Sequence, residues 1–209
     1  MVGTDMITTA INSISQCLNI PVLIILLVIV VVSLILLGEV IAEFLSRRKF
    51  GGVSVSELIY GINAVSSCDE VKDIVLSSYL DDSQKSVLVS IADSSSLKKD
   101  SREALARSLV EDEEARVDKK LSRSDIITRI GPTLGLMGTL IPMGPGLAAL
   151  GAGDINTLAS SLTIAFNTTI VGIGSGALCY VLGKIRSQWY DKYLSQLDAL
   201  SDAILDFMD

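Results

Sequence analysis

The 209-residue chain has no histidine, and its three cysteines stand far apart at positions 17, 68 and 179. Without histidine a Cys/His zinc site is excluded, and no two cysteines are placed to form a disulfide. Basic residues are missing before Arg47 and again between Arg129 and Lys184. The first 19 residues therefore have no basic n-region, and no small-residue cleavage site follows the first apolar run, so that run reads as a retained span and not a removed signal peptide. A net charge of -7 argues against nucleic acid as a partner. No nucleophile stands near a base and no phosphate-binding loop is present; the glycines from Gly144 to Gly153 match no nucleotide fingerprint. An enzyme is therefore disfavoured, and no cofactor or metal is expected.

What is present in excess is apolar. Hydrophobic residues make up 49% of the chain and the mean hydropathy is +0.53, which points to lipid as the solvent. Three runs without Asp, Glu, Lys or Arg are long enough to cross a bilayer as helices: 20–38, 130–153 and 158–183, with Asp154 between the last two. Of the 17 Lys and Arg residues, 14 fall between Arg47 and Arg129 and three follow the last run. All lie on one side of the membrane if the amino terminus is outside, and the positive-inside rule makes that side the cytoplasm.

The fold class is therefore an all-α membrane protein with three transmembrane helices. The expected order is an extracytoplasmic amphipathic segment at 1–19, span one at 20–43, a cytoplasmic helical domain at 44–126, span two at 127–150, an extracytoplasmic loop at 151–157, span three at 158–183 and a cytoplasmic helical tail at 184–209.

In the first segment Met6, Ile7, Ala10, Ile11, Ile14 and Leu18 recur every three or four residues, as in a short helix on the outer membrane surface that Asn19 and Pro21 would break. Span one is Ile, Val and Leu with few small residues, a lipid-facing composition. Glu39 and Glu43 at its inner end are either solvated helix-end carboxylates or groups near an ion exit. Arg47, Arg48 and Lys49 mark the membrane exit, and Gly51 and Gly52 release the chain. Ser54 with Glu57, and Ser67 with Glu70, have capping-box spacing; short helices are predicted at 55–65, 69–80 and 82–91, before a serine-rich turn at 94–96.

From Leu97 a long charged helix is predicted, with Leu105, Leu109, Val117 and Leu121 on one side and Glu103/Arg107 and Asp112/Arg116 as i,i+4 pairs. The cluster from Glu111 to Glu114 with Arg116, Lys119, Lys120 and Arg123 is either a docking surface or a self-paired solvated face. No glycine or proline interrupts 97–130, so this helix should run directly into span two and couple cytoplasm to membrane. Beyond span three, Ile185, Trp189, Tyr193, Leu197, Leu200, Ile204 and Phe207 form one stripe on a helix extending that span. Trp189 and Tyr190 are placed to anchor at the headgroups. The distal stripe needs a cover, and neighbouring copies of the same helix are the simplest source.

Spans two and three are rich in small residues. Gly131, Gly135 and Thr139 repeat every four residues with Gly138 beside them; Ser161, Ala165, Thr168, Gly172 and Gly176 make a similar face. Both suit close helix packing in lipid. Pro142 and Pro145 should kink or unwind the outer end of span two. Thr139, Asn167, Thr168 and Thr169 are polar groups at membrane depth that need partners or water, and they could hydrate a passing ion without trapping it.

The motif P-x-x-G-L-x-G-T at 132–139, then G-D-x-x-x-L-A at 153–159 and T-T-x-x-G at 168–172, resembles the MotA/TolQ/ExbB proton channel family. The three-span topology is similar to the ExbB/TolQ branch, since MotA-type stators usually have a fourth span. The resemblance implies a homopentamer around two copies of a single-span partner of the ExbD/TolR/MotB kind. In that family the partner carries the proton-binding aspartate and threonines of the channel subunit surround it; by motif position these are Thr139 and Thr169. It implies a proton-driven, or sodium-driven, motor subunit in the cytoplasmic membrane. Two features depart from the family: its usual glutamate five residues before the span-three threonine is Ile164 here, and the double proline is not part of its pattern. A MotA-like stator, a defence-type motor and a non-conducting scaffold are the other readings.

Overall fold

The computed structural model describes residues 2–49 and 55–208; for residues 2–5 and 46–49 it describes the backbone alone. The expected membrane exit at Arg47 to Lys49 and release at Gly51 and Gly52 involve side chains or residues outside that description, as does the Ser54 cap. Among the described residues six α-helices follow in order: α1 (Val2–Lys49), α2 (Val55–Ala64), α3 (Cys68–Ser77), α4 (Asp82–Ala92), α5 (Lys99–Gly151) and α6 (Ile155–Phe207), with a 3-10 turn at Asp93–Ser96. No strand occurs among the described residues. Three helices, α1, α5 and α6, are long and apolar enough to cross a membrane. The residues divide into two compact units: an apolar one of Met1–Val40 and Ser122–Lys184, and a polar one of Ile41–Leu121 and Ile185–Asp209.

In the apolar unit, α1 is one unbroken helix through Asn19 and Pro21. The expected break there does not occur. Proline already has a helical φ, and a membrane helix can satisfy the carbonyl it leaves unpaired by local adjustment. Val22, Leu26, Ile29, Ser33, Leu36 and Val40 are buried at steps of four and three, while Ile24, Leu27, Val28, Val31, Leu34 and Ile35 remain exposed. One stripe thus packs and the larger apolar remainder is left for lipid. Ser33 satisfies its hydroxyl within the helix by donating to the Val30 carbonyl at 2.8 Å.

Helix α5 continues without interruption through Pro132, Pro142 and Pro145 to Gly151, so the double proline does not unwind it. The turn to α6 is shorter than the sequence suggests. The Asp154 amide donates to the Ala149 carbonyl at 2.9 Å and the Gly153 amide to the Leu150 carbonyl at 3.0 Å. That is a Schellman closure, with Gly153 at the left-handed position, φ +84. Asp154 then caps α6: its carboxylate accepts from the Thr157 amide at 3.1 Å and from the Thr157 hydroxyl at 2.5 Å. These hydrogen bonds, the hydroxyl's first, hold the Asp154 carboxyl below the usual aspartate range.

In the polar unit, α2 to α4 and parts of α5 and α6 enclose one apolar core. Ile62, Val71, Val75, Leu88, Ile91, Ala92 and Ala106 meet Leu197, Leu200 and Ile204 of α6. The distal stripe of the tail is therefore covered by the chain's own short helices and not by neighbouring copies. The short helices present apolar residues that need a cover as much as α6 does, and each fully buried Leu or Ile contributes about 1.5–3 kcal/mol. Tyr190, expected at the headgroups, is buried with Val117 and Tyr193, and Trp189 stacks on Phe44 with ring centroids 6.0 Å apart.

Caps delimit the short helices. Ser67 caps α3 by accepting from the Asp69 amide at 3.3 Å, while Glu70 receives the Ser66 amide at 3.2 Å. Asp81 and Gln84 form a capping box on α4 that the sequence reading missed, although D-x-x-Q has the required spacing. Lys72 bridges Asp93 at 2.5 Å and Asp69 at 3.1 Å, and those hydrogen bonds raise its pKa.

Candidate functional site

The polar residues at membrane depth lie where α5 and α6 run antiparallel in the apolar unit. A Cβ added to Gly131 would meet the Gly172 carbonyl oxygen at 2.8 Å, one on Gly135 the Gly172 Cα at 3.2 Å, and one on Gly138 the Thr168 Cβ at 2.7 Å. Further along, Gly146 faces Ser161 and Gly176 faces Pro132. At Gly131, Gly135 and Gly172 the helices therefore touch backbone to backbone, while Gly138, Gly146 and Gly176 leave room for a side chain of the facing helix. On α6 the contact face is Ser161, Ala165, Thr168, Gly172 and Gly176, all buried. On α5 it is Gly131, Gly135, Gly138, Pro142 and Gly146, also buried.

Thr139 is not on that face. A step of four residues overshoots a full turn by about 40°, so the series Gly131, Gly135, Thr139 drifts off the contact, whereas a step of three to Gly138 restores it. Thr139 emerges at the rim, partly exposed, and its hydroxyl donates to the Leu136 carbonyl at 2.6 Å. Thr169 stands in the same relation to Thr168. It is also at the rim and donates to the Ala165 carbonyl at 3.2 Å. Thr168 is buried in the contact and donates to the same carbonyl at 2.9 Å.

The two rim threonines share a depth and a side. Gly138 opposes Thr168, and each threonine follows its contact residue by one position, about 100° round the helix. Viewed from one end, facing antiparallel helices turn in opposite senses, so both steps lead to the same flank. Asn167 precedes Thr168 and leads to the other flank; it and Thr169 are about 200° apart on α6. Asn167 is exposed. The four polar residues thus separate into a threonine pair on one flank, a buried threonine between the helices and a carboxamide on the opposite side.

Since each rim hydroxyl gives its hydrogen to its own backbone, what it offers outward is lone pairs. Such a surface can accept from water, from a protonated carboxyl or coordinate a small cation, but it cannot store a proton. Between Arg129 and Lys184 the sole carboxylate is Asp154, which is occupied as a cap in the turn. Ile164, where the resemblance would place a glutamate, is exposed. Among the described residues no cluster of His, Cys, Asp or Glu could hold a metal ion.

The sequence matches the model of the MotA/TolQ/ExbB proton channel family over residues 69–199. The chain belongs to this family. The match covers more than half of the protein and extends well past the motif stretch, taking in α3, α4, α5 and most of α6. No curated protein matches the sequence. With three helices of membrane-crossing length, this MotA/TolQ/ExbB protein is a multi-pass membrane protein, and its family is one of channels, not of enzymes.

A second polar cluster in this MotA/TolQ/ExbB protein was read in sequence as surface. Glu113, within the acidic run, is buried and accepts from the Tyr193 hydroxyl at 2.5 Å and from Arg116 at 2.7 Å. Arg116 also reaches the Ser83 hydroxyl, and Gln84 donates to the Tyr193 carbonyl at 3.1 Å. Burial, then the Glu113 hydrogen bond, pushes the Tyr193 phenol well above the ordinary tyrosine range. Near the C-terminal end of α1, Glu43 pairs with Arg186 at 3.1 Å, both largely buried. Neither arrangement could be inferred from spacing, because the first depends on Tyr193, 80 positions from Glu113, and the second joins residues 143 positions apart.

Proposed function

We propose that this protein is the ion-channel subunit of an ExbB/TolQ-like energy-transducing motor. In this reading the amino terminus is outside and the carboxyl terminus cytoplasmic. Five copies enclose two single-span partners of the ExbD/TolR/MotB kind, each bringing an aspartate into the bilayer. Thr139 and Thr169 surround that carboxylate and accept from it when it is protonated, or help to hydrate a sodium ion. The flow of ions turns the ring about its partner, and the long helices α5 and α6 carry the motion into the cytoplasm.

One observation carries this reading: two hydroxyls stand at one depth on one flank of a glycine-tight helix pair whose spans hold no carboxylate of their own. Hydroxyl acceptors without an internal acid suit a pathway whose acid is supplied from outside the chain. Co-expression with a single-span protein bearing an aspartate near the start of its apolar segment tests it. Co-purification with that protein at a native mass of five copies to two supports the reading. A lone copy, or a ring that leaves such partners unbound, contradicts it and favours the non-conducting scaffold.

A further inference from the structure

Asn167 has no place in a pathway built from one copy, since it projects from the flank opposite Thr139 and Thr169. Its carboxamide is exposed in the middle of a membrane-crossing helix, with no hydrogen-bond partner among the described residues. Leaving it to hydrocarbon would cost several kcal/mol, so the assembled protein must cover it.

The surface around it differs from the rest of α6. Ser160, Ile164, Asn167, Val171 and Gly174 are all exposed and follow one another at steps of four, three, four and three. Every seventh residue, Ser160, Asn167 and Gly174, is small or polar, which is a helix-packing seam. The neighbouring exposed face carries Phe166, Ile170, Ile173 and Tyr180, bulky groups suited to lipid. The two faces therefore serve different surroundings, and the Asn167 seam calls for protein.

We infer that Asn167 of one copy completes the polar layer formed by Thr139 and Thr169 of the next copy. The occupant of the seam follows from depth and symmetry. A closed ring of identical chains joins unlike surfaces, one side of each copy to the other side of its neighbour. On this chain the partly exposed side-chain hydroxyls at the depth of Asn167 are those of Thr139 and Thr169, and they occupy the opposite flank. Their unused lone pairs match the two donors of the carboxamide. The layer is thus split across a subunit boundary and is incomplete in a single copy.

This inference rests on the proposed ring, and its test separates the two. Two differently tagged copies are co-expressed with the partner in a background of Cys17→Ser, Cys68→Ser and Cys179→Ala, one carrying Asn167→Cys and the other Thr139→Cys, and oxidised in membranes. A disulfide-linked dimer bearing both tags is expected, with none when both copies carry Asn167→Cys. A ring of normal native mass that gives no mixed dimer, or that links the like pair, overturns the composite layer and leaves the ring standing; absence of any ring overturns both. Independently, Asn167→Leu should lower ion flux as the threonine replacements do, while Asn167→Gln keeps most of it. Unchanged flux in the leucine variant would place Asn167 outside the layer.

Discussion

Gly138 and Thr168 face each other so closely that a Cβ on the glycine would lie 2.7 Å from the Cβ of the threonine. This contact sets the depth of the next residue on each helix, and so brings Thr139 and Thr169 out on a common flank.

The tightest glycine is Gly172, whose added Cβ would meet the Gly131 carbonyl oxygen at 2.6 Å and the Gly135 Cα at 2.7 Å. Backbone cannot yield as a flexible side chain can, so Gly172→Ala should separate the helices and destabilise the protein by about 1–3 kcal/mol. Gly38, likewise inside a helix and with nothing within 4 Å, is the control. Thermal unfolding in detergent should show a lowered midpoint for the first and almost none for the second.

Tyr193→Phe leaves the buried Glu113 with one acceptor site unfilled and should cost about 1–3 kcal/mol. Because the folded pKa of Tyr193 is raised, its contribution is complete below the pKa of an unfolded tyrosine and is lost as pH rises through the folded value. Ultraviolet titration should find one of the five tyrosines ionising later than the rest, and the phenylalanine variant should lose that late step.

The Glu43 to Arg186 pair is largely buried, so Glu43→Ala removes a charge-assisted hydrogen bond from the guanidinium and should destabilise by about 1.5–3 kcal/mol. The exchange Glu43→Arg with Arg186→Glu should recover a good part of the loss. Unfolding of the two singles and the double measures this directly, and a double as unstable as the sum of its singles would deny that the pair acts together.

Asp154 has the opposite pH dependence. Its folded pKa is depressed, so its capping is complete above the pKa of an unfolded aspartate and is lost as pH falls through the folded value. Hydrogen exchange at the start of α6 should accelerate in acid in the parent. Asp154→Asn, which keeps an acceptor for the Thr157 amide, should remove that acid step.

The spans, the run of α5 into span two and the continuation of α6 beyond span three were legible because missing charge, and missing breakers at those junctions, are local properties; the helical passage of α5 through Pro142 and Pro145 was not legible. The cover of Leu197, Leu200 and Ile204 was not legible. A stripe announces that it will be buried but not by what, and α2 to α4 lie more than a hundred residues earlier. Pro21 was misread for a similar reason, since its effect depends on what satisfies the freed carbonyl. At the site, the small faces of α5 and α6 could be read from spacing, yet the roles of Thr139 and Asn167 required the register of the helix pair. A one-residue difference decides between contact, rim and opposite flank, and the choice of Gly138 over Thr139 as the contact is made by Thr168 across the interface.

The measurement that bears most directly on the proposed channel is ion flux through the protein reconstituted with its single-span partner in liposomes under an imposed gradient. If Thr139 and Thr169 accept hydrogen bonds from the carried proton's carboxyl or hydrate the ion, each valine replacement removes about 1.5–3 kcal/mol, roughly tenfold to a hundredfold in rate. Thr139→Val with Thr169→Val should then abolish flux while the complex keeps its mass and melting point. Parental flux in that doubly substituted complex would contradict the account.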